Sequence, residues 1–122
     1  MVTFSGTSEN DLGAVRQLEA DLKNATANAA RFPKTNKLLA AGAPQQAKKI
    51  VEEAAELAIE AVRGDRQAAV TEAADLVYSL VVLLEGMDIR FGEVCGELDR
   101  RRSLYGIAAR QQKNGGGPSE AA

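Results

Sequence analysis

The sequence predicts an all-α fold, an up-and-down bundle of about four helices, and two observations support this prediction. Apolar residues recur at helical spacing along most of the 122 residues, and no stretch shows the strict alternation of a half-buried strand. Helix breakers separate the apolar stretches at Phe32-Pro33 and at Gly64-Asp65. The length suits a single domain over residues 1–113, followed by a glycine-rich tail over residues 114–122 that we expect to be flexible.

The first predicted helix begins at a capping box, Ser8-Glu9-Asn10-Asp11, and continues at helical spacing to about Arg31. Residues 33–43 then form a predicted connector. Pro44 suits the first turn of the second predicted helix, which extends from Gln45 to Arg63.

The third predicted helix follows the helix stop and N-cap at Gly64-Asp65 and extends from about Arg66 to Glu85. Its C-terminal half is rich in strand-forming residues, but twenty residues without a breaker favour a helix. A turn over residues 86–88 separates it from a fourth predicted helix, which begins near Phe91.

Composition excludes several kinds of chemistry. The chain has no histidine, which excludes Ser-His-Asp and Cys-His catalysis and histidine-ligated metals. Its single cysteine, Cys95, cannot form an internal disulfide, which fits a reducing cytoplasm. A net charge of −2 disfavours binding to nucleic acid or to a membrane surface, and no apolar run approaches the ~20 residues of a membrane span. Any catalysis must therefore use carboxylates, a metal ion, lysine or arginine.

Four carboxylates form the strongest candidate site. Glu53 and Glu56 on the second predicted helix are spaced i, i+3, and so are Glu72 and Asp75 on the third. This spacing puts both side chains of a pair on one helix face, ~5–6 Å apart at Cβ. Two antiparallel helices joined at residues 64–65 would turn the pairs toward each other. So many negative charges in one gap favour a hard, oxygen-seeking cation, Mg2+ or Mn2+.

The surroundings of these carboxylates differ from an ordinary solvated face. The polar residues of the second predicted helix fall in one wedge and the rest of its circumference is apolar, so we predict a mostly buried helix whose wedge faces a groove. The third predicted helix is apolar nearly all round, and Glu72, Asp75 and Ser79 share one side of it. The wedge comprises Lys49, Glu52, Glu53, Glu56, Glu60 and Arg63.

Each motif also has a simpler interpretation. An acidic pair on a single helix is usually solvated, although two pairs on consecutive apolar helices weaken that interpretation. Lys34 and Lys37 in the connector are either binding groups or ordinary surface lysines. The run Arg100-Arg101-Arg102 is either a basic helix face or a phosphate-binding group.

Two motifs suggest a family: Lys49-Ile-Val-Glu52-Glu53-Ala-Ala-Glu56 and Glu72-Ala-Ala-Asp75-Leu-Val-Tyr78. They resemble the phosphoribosyl-ATP pyrophosphohydrolase family of histidine biosynthesis, within the MazG-like all-α NTP pyrophosphatase superfamily. That superfamily has Glu-x-x-Glu, a spacer and Glu-x-x-Asp. The narrower likeness covers roughly residues 33–102 and adds Thr35, Leu38, Gly42 and the ending Leu98-Asp99-Arg100-Arg101.

The resemblance implies a hydrolysis in which phosphoribosyl-ATP and water give phosphoribosyl-AMP and pyrophosphate, with Mg2+ or Mn2+ as cofactor. Lys49 would face the triphosphate, and Glu53 would accept the proton of the attacking water. A homodimer or homotetramer is implied as the assembly. The implied metal ligands are Glu52, Glu53, Glu56, Glu72 and Asp75. The candidate substrate-binding residues are Lys49, Lys37, Thr35, Ser79 and Arg101.

The chain departs from the family pattern at three places. Pro33-Lys34 precedes Thr35 where the family has Ser-Tyr, Val51 replaces a glycine, and Ser79 replaces a histidine after Tyr78. These changes leave the carboxylates intact but alter residues expected to touch substrate. Three hypotheses therefore stay open: a histidine-pathway enzyme, a paralogue that hydrolyses another NTP or dNTP, and a helical dimer without catalysis.

Overall fold

The computed structural model of the chain describes residues 8–25, 27–28 and 30–115. Over these residues it contains five α-helices and no strand, so the all-α prediction is confirmed. The helices are α1 (Ser8–Ala25), α2 (Pro33–Ala41), α3 (Ala43–Arg63), α4 (Arg66–Gly86) and α5 (Phe91–Gly115).

The first four helices belong to one compact unit, Met1–Arg90, and α5 belongs to a second unit, Phe91–Ala122. The single domain predicted over residues 1–113 stays a prediction. The predicted tail over residues 114–122 lies outside the described residues beyond Gly115, where α5 ends.

Helix α1 is shorter than predicted: it ends at Ala25 and not near Arg31. A tight turn and a side chain take over where the helix ends. The Asn28 backbone N–H is shared between the carbonyls of Asn24 and Ala25, at 3.0 and 3.2 Å, and Asn36 Nδ2 donates to the Ala25 carbonyl at 2.7 Å. Terminal carbonyls that a longer helix would have used are therefore satisfied by a turn and by a side chain from α2.

The connector predicted over residues 33–43 is wrong for most of its length, because residues 33–41 form α2. Pro33 lies in the first turn, where a missing N–H removes no helical hydrogen bond. Gly42, at φ +89°, ends the helix in a backbone region that favours glycine. No residue of α2 is fully buried, and hydrogen bonds through Thr35, Asn36 and Gln46 attach this helix to its neighbours.

Helices α3 and α4 form an antiparallel hairpin with the turn that the sequence predicts. Gly64 adopts the left-handed conformation (φ +77°) and ends α3. Asp65 Oδ1 accepts a 3.1 Å hydrogen bond from the Ala68 N–H and so caps α4. Pro44 lies in the first turn of α3, also as predicted. This short turn packs α3 against α4 along their length and brings their inner faces together.

The core of the first unit lies between α1 and α4. Its fully buried apolar residues, among those described, are Leu22, Ala25, Val81 and Val82. Polar side chains are buried beside them: Gln46 and Glu53 from α3 and Ser79 from α4. A polar layer therefore continues the apolar core toward the α3–α4 gap.

The prediction that α3 is mostly buried is wrong for the single chain. Its apolar side faces outward, with Val62 88% exposed and Val51 68% exposed. Within its polar wedge, Glu53 is buried at 8% exposed and Glu60 is half-buried, whereas the other members are exposed. On α4, Val70 is also 57% exposed. The hairpin thus buries Glu53 and presents an apolar surface outside.

By length and composition alone, α4 would be able to cross a membrane. The core helix of a water-soluble protein meets the same criteria. Here α4 packs against α1, α2 and α3 and contributes Val81 and Val82 to the core.

Candidate active site

The α3–α4 hairpin places acidic side chains on both sides of one gap. Glu53, Glu56 and Glu60 follow one another along α3 at helical spacing, and Glu72 and Asp75 lie on α4. Because the helices run in opposite directions, the N-terminal part of α4 lies beside the C-terminal part of α3. Contacts across the gap show two groups of residues, one around Glu53 and one around Glu72.

The first group fixes Glu53 through both of its carboxylate oxygens. Ser79 Oγ donates to Glu53 Oε1 at 2.5 Å, and Lys49 Nζ lies 3.4 Å from Oε2. Glu53 is 8% exposed and Ser79 is 1% exposed, so their hydrogen bond lies in the interior, whereas the Lys49 side chain is 47% exposed. A buried carboxylate is stable as an anion only with such donors, and its orientation is set by them.

The second group centres on Glu72, whose ionised carboxyl is disfavoured by its surroundings. Burial raises the pKa of Glu72 first of all, and a hydrogen bond and charge from Glu56 raise it further. The negative charges of Asp75 and Glu60 act in the same direction. That hydrogen bond requires one carboxyl to carry a proton. When both are ionised neither can donate, and buried Glu72 Oε1 has no hydrogen-bond partner among the described residues. This pair therefore needs a proton or a cation.

A second buried oxygen lies near this pair. Glu60 Oε1 has no hydrogen-bond partner in the part of the chain that the structure describes, and Arg63 Nε is 3.8 Å away, beyond hydrogen-bonding distance. The gap therefore contains hard oxygen donors without proton donors, which are the atoms that Mg2+ and Mn2+ prefer. Within the described residues, no three acidic or thiol side chains are arranged closely enough to hold a metal ion by themselves. The donor chemistry fits a metal, and the ligand set named from the sequence stays a prediction.

A cavity of about 650 Å³ lies next to the carboxylates, between α2, the N-terminal half of α3, and Tyr78 of α4. Four lysines line it: Lys34 and Lys37 from α2, and Lys48 and Lys49 from α3. Glu52 lines it as well. The cavity is therefore a cationic region that adjoins an acidic gap, and Lys49 belongs to both.

Helix α2 is attached to this region by a hydrogen bond between hydroxyls. Thr35 Oγ1 and Tyr78 Oη lie 2.6 Å apart. Gln46 Nε2 also donates to the carbonyl of Leu38 at 3.0 Å. These contacts position the lysines of α2 over α3 and α4.

The predicted site residues lie in four different places. Glu53 and Ser79 bond to each other in the interior, and Glu56, Glu72 and Asp75 form the acidic group. Lys37, Lys49 and Glu52 line the cavity, and Thr35 bonds to Tyr78 at its edge. Arg101 lies on α5, where its Nε is 3.0 Å from Glu97 Oε2.

Tyr78 and Lys48 line the cavity but were not among the predicted site residues. A signal for the cavity was nevertheless present. Positions 34, 37, 38 and 41 share one face of α2, and positions 45, 48, 49 and 52 share one face of α3. Both sets have the spacing i, i+3, i+4, i+7, but the first becomes visible only once α2 is known to be a helix.

Comparison with known proteins identifies the family. A model of the family described as phosphoribosyl-ATP pyrophosphohydrolase matches residues 15–102. A phosphoribosyl-ATP pyrophosphatase of Methylobacterium nodulans is 53% identical over 74 residues, covering 61% of this chain and 69% of the relative. Phosphoribosyl-ATP pyrophosphatase 2 of Rhodopseudomonas palustris is 42% identical over 94 residues, covering 77% of this chain and 67% of the relative.

A third relative, the phosphoribosyl-ATP pyrophosphatase of Dinoroseobacter shibae, is 46% identical over 79 residues, covering 65% of this chain and 78% of the relative. The chain belongs to the phosphoribosyl-ATP pyrophosphohydrolase family. The resemblance inferred from the two acidic motifs is confirmed.

Proposed function

We propose that this protein hydrolyses phosphoribosyl-ATP with one water molecule to phosphoribosyl-AMP and pyrophosphate, as a step of histidine biosynthesis. Water attacks one of the two phosphorus atoms of the α,β-phosphoanhydride. The bridging P–O bond breaks, and the water oxygen remains on the phosphate that was attacked. The family and the names of the relatives support the substrate. The observation that carries the proposal is the acidic α3–α4 gap beside a cavity lined by lysines.

Mg2+ is the proposed cofactor, and Mn2+ has the same ligand preference. Glu52, Glu53, Glu56, Glu72 and Asp75 are the residues that would hold it. When bound, such an ion neutralises phosphate charge and acidifies coordinated water. The shared need of Glu56 and Glu72 for a cation or a proton supports this assignment.

Glu53 is the proposed general base. The Ser79 hydroxyl and the Lys49 ammonium fix the direction of its carboxylate. Each carboxylate oxygen has two lone pairs, so both can still accept a further hydrogen bond from water. Lys49 also lines the cavity, which lets one ammonium contact both the base and a phosphate oxygen.

The acidic gap also gives the experiment that tests this function. We expect phosphoribosyl-ATP to release pyrophosphate in the presence of Mg2+ and not in the presence of EDTA. Mg2+ should also raise the melting temperature by binding the folded state, and Glu56→Gln should remove both effects. Cleavage at the same rate by Glu56→Gln would contradict the role of this carboxylate.

We further propose a homodimer, or a tetramer built from it, in the cytoplasm. The support is the apolar outer face of the hairpin, which includes Val51, Ile59 and Val62 on α3 and Val70 on α4. A patch of this kind is rarely left in contact with water. Sedimentation should show an oligomer for the natural chain and a monomer for Val62→Glu, whereas Arg16→Glu on exposed α1 should leave the oligomer intact. A monomeric natural chain would contradict this part.

A further inference from the structure

The cavity between α2 and α3 has an excess of positive charge that the protein itself does not neutralise. Within the described part of the chain, Lys34, Lys37 and Lys48 make no hydrogen bond or ion pair, and Lys49 is the one cavity lysine with an acidic partner. Among the residues that the structure describes, Glu52 is the one carboxylate that lines the cavity. Ammonium groups that converge around one space repel each other unless an anion lies between them. The cavity is therefore suited to a ligand with at least one phosphate group.

The remaining lining indicates what accompanies that phosphate. Leu38, Ala41 and Tyr78 contribute apolar surface on the side of α2 and α4. Inorganic pyrophosphate has no apolar part that would use this surface, whereas a sugar phosphate has both a charged group and a carbon ring face. A volume of about 650 Å³ also exceeds the needs of a small inorganic ion and lies in the usual range for organic ligands.

The position of the cavity relative to the acidic gap sets the orientation of a bound substrate. Lys49 lines the cavity and lies 3.4 Å from Glu53, so the two regions are continuous. From Lys49 to Glu56 the axis of α3 rises by about 10 Å. A substrate with phosphates at both ends can therefore place one end among the carboxylates and the other among the lysines.

We propose that this cavity binds the sugar monophosphate of the phosphoribosyl group, with Lys34, Lys37 and Lys48 as its phosphate-binding residues. The inference rests on the proposed function, in which the triphosphate end lies at the carboxylates. It assigns Lys34 a part in distinguishing phosphoribosyl-ATP from ATP and other triphosphates, because those nucleotides have no second phosphate-bearing end.

Product binding tests this assignment without requiring turnover. Titration calorimetry of the full chain would compare phosphoribosyl-AMP, AMP and pyrophosphate in the presence of Mg2+. We expect Lys34→Gln and Lys37→Gln each to weaken the binding of phosphoribosyl-AMP by about tenfold, the size of one charge-assisted contact. The affinities for AMP and for pyrophosphate should not change. Lys34→Arg should restore most of the affinity. Arg16→Gln, which removes an exposed charge on α1, is the matched control.

Two results would overturn the proposal. If the lysine variants weakened the binding of pyrophosphate and not that of phosphoribosyl-AMP, the cavity would bind the leaving group. If no ligand were affected, the lysines would be surface residues. The substrate assay of the natural chain is separate: failure to hydrolyse phosphoribosyl-ATP would remove the proposed function, while the binding comparison would still decide what the cavity accepts.

Discussion

Ser79 Oγ donates a 2.5 Å hydrogen bond to Glu53 Oε1, and this bond joins α4 to α3 in the interior of the protein. Lys49 contacts the other oxygen of the same carboxylate. Glu53 is thereby held in one direction from two sides. The substrate contact expected for Ser79 stays a prediction, whereas its contact with Glu53 makes it a residue that positions the proposed base.

Ser79→Ala should therefore lower kcat by roughly 10- to 100-fold, because a misdirected base accepts the proton of water less effectively. KM should change little. It should also cost about 1–3 kcal/mol of unfolding free energy, because a buried carboxylate oxygen loses its donor. Pyrophosphate-release kinetics and chemical denaturation measure the two effects. Thr71→Ala removes an exposed hydroxyl from the same helix and should change neither. An increase in KM alone would favour a direct substrate contact.

Asp75→Asn should abolish hydrolysis and still give a folded protein. The negative charge of Asp75 is one cause of the raised pKa of Glu72, so removing it relieves repulsion in the metal-free state. In EDTA we expect a higher melting temperature than for the natural chain, and we expect the rise caused by Mg2+ to shrink. Asp88→Asn, on an exposed turn at φ +58° that asparagine tolerates, is the control. Normal turnover by Asp75→Asn would exclude the role assigned to this carboxylate.

The hydroxyl pair of Thr35 and Tyr78 should act as one unit that holds α2. Tyr78→Phe and Thr35→Val should each cost about 1 kcal/mol of unfolding free energy, and the double variant should cost little more than either. Both single variants should raise KM by more than they lower kcat, because α2 provides lysines to the cavity. Strict additivity of the two changes would show that the hydroxyls do not interact in solution.

Glu97 on α5 should titrate far below an ordinary glutamate. Hydrogen bonds from Arg100 and Arg101 lower its pKa from 4.5 to about 2. Because the folded-state pKa is the lower one, this contact stabilises α5 above pH 4.5 and its contribution is lost as pH falls toward about 2. NMR titration of the side-chain carboxyl gives the midpoint directly. Arg100→Gln should move it upward, and so should high salt, since the group is 42% exposed. A midpoint near 4.5 in the natural chain would contradict the contact.

Local signals were sufficient to predict much of this fold. Gly64 and Asp65 end one helix and begin the next through their own backbone and side-chain chemistry, so their sequence alone indicates the hairpin. The i, i+3 acidic pairs follow from that hairpin. Helix α2 could not be predicted in this way, because it is short and because hydrogen bonds to Tyr78 and Gln46, outside its own sequence, help to stabilise it.

The end of α1 depends on the same kind of contact from outside the helix, since Asn36 Nδ2 donates a hydrogen bond to the carbonyl of Ala25. The role of Ser79 was also invisible, because a serine on a carboxylate-bearing face fits a substrate contact as well as a bond to Glu53. The prediction that α3 is mostly buried was wrong because its apolar face points outward. Periodicity identifies an apolar stripe but does not say whether the same chain or another covers it.

The most direct test of the account is pyrophosphate release with Mg2+, with phosphoribosyl-ATP offered beside a panel of NTPs and dNTPs. We predict turnover of phosphoribosyl-ATP with a kcat/KM at least about 100-fold above that of any other nucleotide, which is about 2.7 kcal/mol of discrimination. Preferential cleavage of another NTP or dNTP would contradict the assigned substrate and leave the acidic gap as the site of a different pyrophosphohydrolase. Absence of any cleavage would contradict the enzymatic account as a whole.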